Sequence, residues 1–373
     1  MSNVRNSNHE IMRILSMFYI VLWHVILYSG VLYTKNESIK IICNMLLFLI
    51  AVHVNSFVLV TGYYQSKSTF KQSKVWQIIG SSWFYRVTIM ITFILAKIDV
   101  ISKLQIIKDL LPVTTDNYWF IKMYLLLYCL SPFINKLISC LDKKTYQKLL
   151  LVGVIIFCIV PNITNGEFLF NNGYTLYNFV YLYLIGAYLR EYPIEKSYFF
   201  KIFSSNLFKL IMIIIFVSCA ILNNIVYSYG CQLNGINTIL STISNTMTNT
   251  ALNYSNPIII IQSIAYFSFF TTLTLKSKII NKISGLMLGV YYIHENDHIR
   301  SKLYDWTGML NSSKESFLII IKMLLIAGLI FIISTIIELI RQKISIAISK
   351  TKFVKAAKKK YYDWSKSLHV VEV

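Results

Sequence analysis

The sequence predicts an all-α polytopic membrane protein of about ten transmembrane helices, with both termini in the cytoplasm. Three observations carry this reading. The 373 residues are 56% hydrophobic and only 14% charged, whereas a soluble domain carries about 25% charged residues. Apolar runs near the spanning length of about 20 residues recur along almost the whole chain. The positive charge alternates from loop to loop, as it does in a membrane protein whose cytoplasmic loops are enriched in Lys and Arg.

The apolar segments fall at 11–33, 39–63, 78–97, 118–138, 148–164, 173–190, 203–226, 255–275, 283–300 and 315–340. The ninth is short and ends in polar residues. With 13 Gly and 5 Pro in the chain, most spans are expected to be continuous helices. The second loop carries Lys67, Lys71 and Lys74, and the fourth carries Lys136, Lys143, Lys144 and Lys148 against Asp142. The sixth carries Arg190, Lys196 and Lys201 against Glu191 and Glu195, and the eighth Lys276, Lys278 and Lys282. Arg341, Lys343, Lys350, Lys352, Lys355 and Lys358 to Lys360 follow the tenth segment. Odd-numbered loops are balanced or nearly uncharged. The net charge of +20 is therefore topological, and no nucleic-acid partner is expected. The first apolar run continues through Val31 and Leu32 without a small-residue cleavage site and reads as a signal anchor. Residues 1–345 read as one transmembrane domain and 346–373 as a basic cytoplasmic tail drawn to anionic lipid. The six cysteines have neither metal-ligand nor CxxC spacing. They read as small buried apolar residues, and no metal is expected.

The chemistry starts in the first segment. Arg13 and His24 are eleven residues apart, so on a helix they return to within about 20° of one face, about 16 Å apart along the axis. Glu10, three residues before Arg13, shares that face. An ionisable group inside a span costs on the order of 3 kcal/mol or more, so it faces a protein interior or a wet cavity. Taken singly, Arg13 reads as a snorkelling anchor and His24 as an interhelical hydrogen-bonding residue. Their shared face favours a joint function. A histidine whose ordinary pKa is near 6.5 can act as general base toward a hydroxyl. A guanidinium can hold a phosphate or stabilise an oxyanion.

Three further stretches extend the pattern: Phe57 to Tyr63 at the end of the second segment, Trp119-Phe120 at the start of the fourth, and Gly289 to His294 in the ninth. With Glu10, Arg13 and His24, these make the chain resemble the acyltransferase family 3 membrane proteins, among them the bacterial O-acetyltransferases of capsular and other envelope polysaccharides. The first span of that family carries an arginine and, eleven residues on, a histidine. The Phe-Val-Leu-Ser-Gly-Tyr-like element is met here with Thr61 for the serine, and the Gly-Val-Tyr-Leu-Ile-His-like element with Tyr292 for the leucine. Tyr181 to Tyr188 is also familiar. Family members often have two arginines around the third span, where this chain has only Arg86.

The resemblance implies transfer of an acyl group, acetyl in the common case, from acetyl-CoA to a hydroxyl of an envelope or capsular polysaccharide or its lipid-linked precursor. The setting would be the bacterial plasma membrane. It makes His24 the base or the acyl carrier, pairs Glu10 with Arg13, and offers Arg13 and Arg86 to the donor. His294 and Glu295 become candidates for acceptor contact. Trp119 and Tyr124 are either a sugar-stacking surface or interfacial belt residues. The main alternative is a transporter or flippase for a glycolipid or lipid-linked sugar. It predicts repeat symmetry and paired Gly/Pro breaks, and neither is visible in the sequence.

Overall fold

The first helix, α1 (Asn8–Tyr28), is the post around which the others gather, and its start is fixed before its chemistry begins. A computed structural model describes residues 6–111, 118–164, 171–193, 205–233, 235–236, 238–309, 313 and 316–351. At the entry to α1, Ser7 accepts from the Ser277 N–H at 2.8 Å and Asn8 Oδ1 from the Leu275 N–H at 2.8 Å. His9 touches the Tyr64 hydroxyl at 3.0 Å and the Thr271 hydroxyl at 2.9 Å, with its ring stacked on Phe267. These polar residues tie the N-terminus of α1 to the chain that follows the helix Pro257–Thr271.

The remaining helices follow in order. α2 (Glu37–Ile50) is capped by Asn36, which accepts from the Ile39 N–H, and α3 (His53–Gln65) continues it after a kink at Ala51-Val52. At the kink His53 Nδ1 donates to the Ile50 carbonyl at 2.6 Å, supplying a partner where the regular helical ladder stops. α4 (Gln72–Leu95) leads to α5 (Lys103–Leu110), then α6 (Trp119–Ser139) and α7 (Lys143–Gly153). α7 runs through a π-helical turn, Val154–Ile159, into α8 (Val160–Ile163). Then come α9 (Leu176–Glu191), α10 (Ser205–Leu233), α11 (Thr238–Thr250) and α12 (Pro257–Thr271). The chain closes with α13 (Lys278–Ser284), α14 (Met287–His294), α15 (Asp297–Trp306) and α16 (Leu318–Ser349). No strand occurs among the described residues. The protein is an all-α, multi-pass membrane protein. α1 packs against α2, α3, α12, α13, α14 and α16.

All ten expected segments contain helix, but among the described residues seven helical stretches are long and apolar enough to cross a membrane. The sixth and eighth segments are helices of 16 and 15 residues. The ninth is not a continuous helix. α14 has eight residues and stops at His294, and Asn296 then caps α15 by accepting from the His298 N–H at 3.1 Å. The polar run Glu295 to His298 favours a cap over another apolar turn. α16 continues to Ser349, past the expected domain boundary at 345, and tail residues 352–373 lie outside the described residues. Only Cys43 and Cys158 of the six free cysteines are buried. Cys129, Cys140 and Cys231 are exposed and Cys219 is half-buried, and a small apolar residue suits lipid as well as a core.

Two of the motif glycines meet each other. Gly62 on α3 and Gly186 on α9 face across the tightest helix contact, and a Cβ on either would strike the backbone of the opposite helix, at Tyr183 or Leu59. Small residues allow this approach inside a membrane. Adding atoms to a packed core costs about 1–3 kcal/mol when side chains can move, and here the obstacle is backbone. Gly62→Ala and Gly186→Ala should sharply reduce monodisperse, detergent-extracted protein. Gly80→Ala, with open space around it, should leave the yield unchanged. Wild-type yields from all three variants would contradict this packing.

Candidate active site

His24, four residues from the end of α1, meets the break between α14 and α15. Its Nδ1 lies 3.1 Å from His294 Nε2 and 3.1 Å from Glu295 Oε1. The protons can be assigned from the hydrogen bonds. His294 Nδ1 sits 2.6 Å from the Val290 carbonyl and must donate to it. The Nε2 of a neutral His294 is then an acceptor, so His24 Nδ1 carries the hydrogen of that contact. The lone pair of His24 falls on Nε2, which has no hydrogen-bond partner among the described residues. The Tyr28 ring stacks on the His24 ring, with centroids 5.6 Å apart.

Glu295 is itself held. Its Oε2 accepts from Arg300 at 3.1 Å, and Arg300 donates to Asp297 Oδ1 at 3.2 Å. Asp297 Oδ2 accepts from Arg86 at 3.3 Å. Arg86 also pairs with Asp109, whose other oxygen lies 2.7 Å from His298 Nε2. Arg86 and Asp109 are both 0% exposed. Buried charges persist when they are paired and hydrogen-bonded, and this network connects α4, α5 and α15 to the histidine pair.

The inner end of the same α1 face carries Glu10 and Arg13. Arg13 donates to both Glu10 oxygens, at 3.1 and 3.0 Å, and the Ser284 hydroxyl donates to Glu10 Oε2 at 2.5 Å. Arg13 opens onto a cavity of about 340 Å³ between α1, α3, α4, α6, α14 and α16. Ile20 and Tyr291 line it one helical turn short of His24 and His294. Loop charge assigns the Arg13 end of the cavity to the cytoplasmic side.

The structure thus brings together Glu10 with Arg13, and His24 with His294 and Glu295. It does not bring Arg86 to Arg13. Arg86 lies fourteen residues into α4, about 21 Å along the helix from its inner start, level with His24 and fully enclosed. Trp119 and Tyr124 also part company. Trp119 packs in an aromatic nest with Tyr174, at 4.5 Å between centroids, and Tyr254, at 5.9 Å. Tyr254 donates to His53 Nε2 at 3.1 Å, and His53 packs against Trp23, next to His24. Tyr124 instead lines the inner cavity, beneath the Lys74 ammonium. Sequence reasoning missed Asp109, Asp297, His298 and Arg300 around the pair, and Lys74, Tyr85, Glu338 and Arg341 around the cavity. One signal was available: Glu338-x-x-Arg341 repeats the spacing of Glu10-x-x-Arg13 inside an apolar run.

One ligand atom from each of His24, His294 and Glu295 falls within 4.8 Å of the others, a spacing that could hold a metal ion. His24 and His294 are hydrogen-bonded at 3.1 Å, and Glu295 Oε1 stands at 3.1 Å from the same nitrogen as a charge partner, without a hydrogen bond of its own among the described residues. Chemically, the site offers a free imidazole nitrogen backed by an acceptor and a carboxylate, above a cavity that begins at a guanidinium.

Residues 6–340 match the model of acyltransferase family 3, described as an acyltransferase domain. No curated protein and no solved structure matches the chain. With the match running over most of its length, the chain belongs to acyltransferase family 3 and is a membrane acyltransferase.

Proposed function

We propose that the protein is an O-acyltransferase of the bacterial plasma membrane. It takes acetyl from acetyl-CoA on the cytoplasmic side and places it on a hydroxyl of an envelope or capsular polysaccharide or its lipid-linked precursor. The observation that carries this reading is the free Nε2 of His24, held by His294 and Glu295 above the cavity that Arg13 enters.

His24 Nε2 accepts the proton of the acceptor hydroxyl as its oxygen attacks the thioester carbonyl. The imidazolium so formed shares its Nδ1–H between His294 and the Glu295 carboxylate, which offsets the new charge in a site of low dielectric. As the C–S bond breaks, His24 returns the proton to the leaving thiolate, giving free CoA and the ester. The same lone pair serves an acyl-histidine route, in which Nε2 attacks the thioester first. Arg13 suits the donor phosphates. The rise of about 16 Å from Arg13 to His24 is comparable to an extended pantetheine arm, so phosphates held near Arg13 deliver the thioester to His24. The nest of Trp119, Tyr174 and Tyr254 suits stacking of a sugar ring, and Tyr124 belongs with the donor cavity. Arg86, sealed against Asp109 and Asp297, acts through Arg300 and Glu295 as a positioning residue and not on the donor. The broken ninth segment is the one feature favouring a transporter of lipid-linked sugar. Label transfer separates the two readings.

Membranes bearing the wild-type protein should incorporate labelled acetyl from acetyl-CoA into envelope polysaccharide. His24→Ala at matched expression should lose at least about 100-fold of that rate. Movement of the acceptor across the membrane with no label in it would replace this reading with the transporter. Arg86→Lys should lower kcat tenfold to a hundredfold, as small misplacements of catalytic groups do, with KM for acetyl-CoA within about twofold; a raised KM at unchanged kcat would put Arg86 on the donor. Exhaustive chelation should leave the rate intact, and loss of activity restored by added zinc would make the His24 cluster a metal centre instead.

A further inference from the structure

The last helix repeats the arrangement found at the start of the first. Glu338 and Arg341 on α16 stand three residues apart, as Glu10 and Arg13 do on α1. Both carboxylates are buried. Arg341 donates from Nε and NH2 to the two Glu338 oxygens at 2.6 and 2.7 Å, Gln342 adds a bond at 2.8 Å, and the Tyr85 hydroxyl donates as well. Gly289 makes room for this carboxylate, because a Cβ there would collide with the Glu338 side chain. The glycine of the Gly289 to His294 motif is thus the hollow that seats Glu338.

Arg13 of α1, Lys74 of α4 and Arg341 of α16 line the same cavity. The Lys74 ammonium sits 4.6 Å from the Tyr128 ring centre and 5.8 Å from that of Tyr124. It has no carboxylate partner among the described residues. Arg13 commits one nitrogen to Glu10, and Arg341 commits two to Glu338. Arg341 also donates to the Tyr85 hydroxyl, yet both guanidiniums carry more donors than these acceptors take, and the Lys74 ammonium rests on aromatic faces, while the carboxylates nearby are already taken. A half-enclosed site with three cations, surplus donors and saturated acceptors is built for a multivalent anion.

We propose that Arg13, Lys74 and Arg341 form a three-point site for the diphosphate of the acyl donor, with Glu10 and Glu338 as positioning residues that aim the two guanidiniums. This rests on the acyl-CoA reading given above. A lipid headgroup offers the same phosphate chemistry, because the cavity adjoins a groove of about 970 Å³ between α4 and α16 and shares Gln77, Ser81, Tyr85 and Arg341 with it. The soluble donor is favoured because these cations stand in the half of the molecule that loop charge assigns to the cytoplasm, directly below the His24 pair.

The test uses the full-length protein in nanodiscs of zwitterionic lipid, with acetyl-CoA and S-acetyl-pantetheine as alternative donors. The second donor has the thioester but no diphosphate. Arg341→Gln and Lys74→Gln should each raise KM for acetyl-CoA about tenfold or more, the size of one lost charge-assisted hydrogen bond, while the rate with S-acetyl-pantetheine stays at the wild-type level. Free CoA should raise the Tm of the wild type and do so less for either variant. A merely structural role would lower both donors alike and would overturn the proposal, as would unchanged KM in both variants. Lys74→Gln at the start of α4 keeps the test available if Arg341→Gln fails to fold. If free CoA does not stabilise the wild type, the donor reading and this site fall together. A Tm rise with phosphatidylglycerol that Arg341→Gln abolishes would then assign the cations to lipid.

Discussion

The contact of His24 with His294 and Glu295 requires the ninth segment to be broken, and the rest of the outer half follows from that break. A continuous helix through 283–300 would turn residue 295 about 100° away from residue 294, so the two could not share one face toward α1. Stopping α14 at His294 and restarting with Asn296 as a cap lets a helix-end histidine and the next residue both reach the same imidazole nitrogen. Glu295 then needs a counter-charge, which Arg300 supplies. Asp297 and Arg300 in turn bring Arg86 and Asp109 into the network. Each step answers the same constraint: a charge away from water must be met by another.

The inner half obeys the same rule with the opposite outcome. Glu10 and Glu338 are saturated by arginine, serine, tyrosine and glutamine donors, so the cavity between them has positive charge to spare. One helix, α1, belongs to both halves, and its single face holds a cation at one end and a base at the other. Under the proposed function, a charged donor and its neutral thioester would lie at different depths along that face.

Much of this was legible in the sequence because helical period turns spacing into geometry. Glu10, Arg13 and His24 on one face follow from 3.6 residues per turn, and loop lysines alone orient the bundle. The break at Glu295 was visible only as a weak segment with a polar end. The surroundings of Arg86 were not legible, because a sequence shows that an arginine is in a span but not at what depth or against which carboxylate; Asp109, its partner, sits on a separate short helix, α5. Arg341 was read with the basic tail that follows it, although Glu338 three residues earlier carries the same signature as Glu10. The meeting of Gly62 with Gly186 depends on helix pairing that spacing along one chain does not encode.

The central claim is that α1 joins a donor on one side of the membrane to an acceptor at the opposite end of the helix. Sealed proteoliposomes of known orientation test it most directly, with labelled acetyl-CoA supplied only to the face carrying the basic loops and the acceptor only to the other. The account predicts label on the acceptor across an intact bilayer, and none when the donor is moved to the acceptor's side. Transfer that requires donor and acceptor on the same face would contradict it.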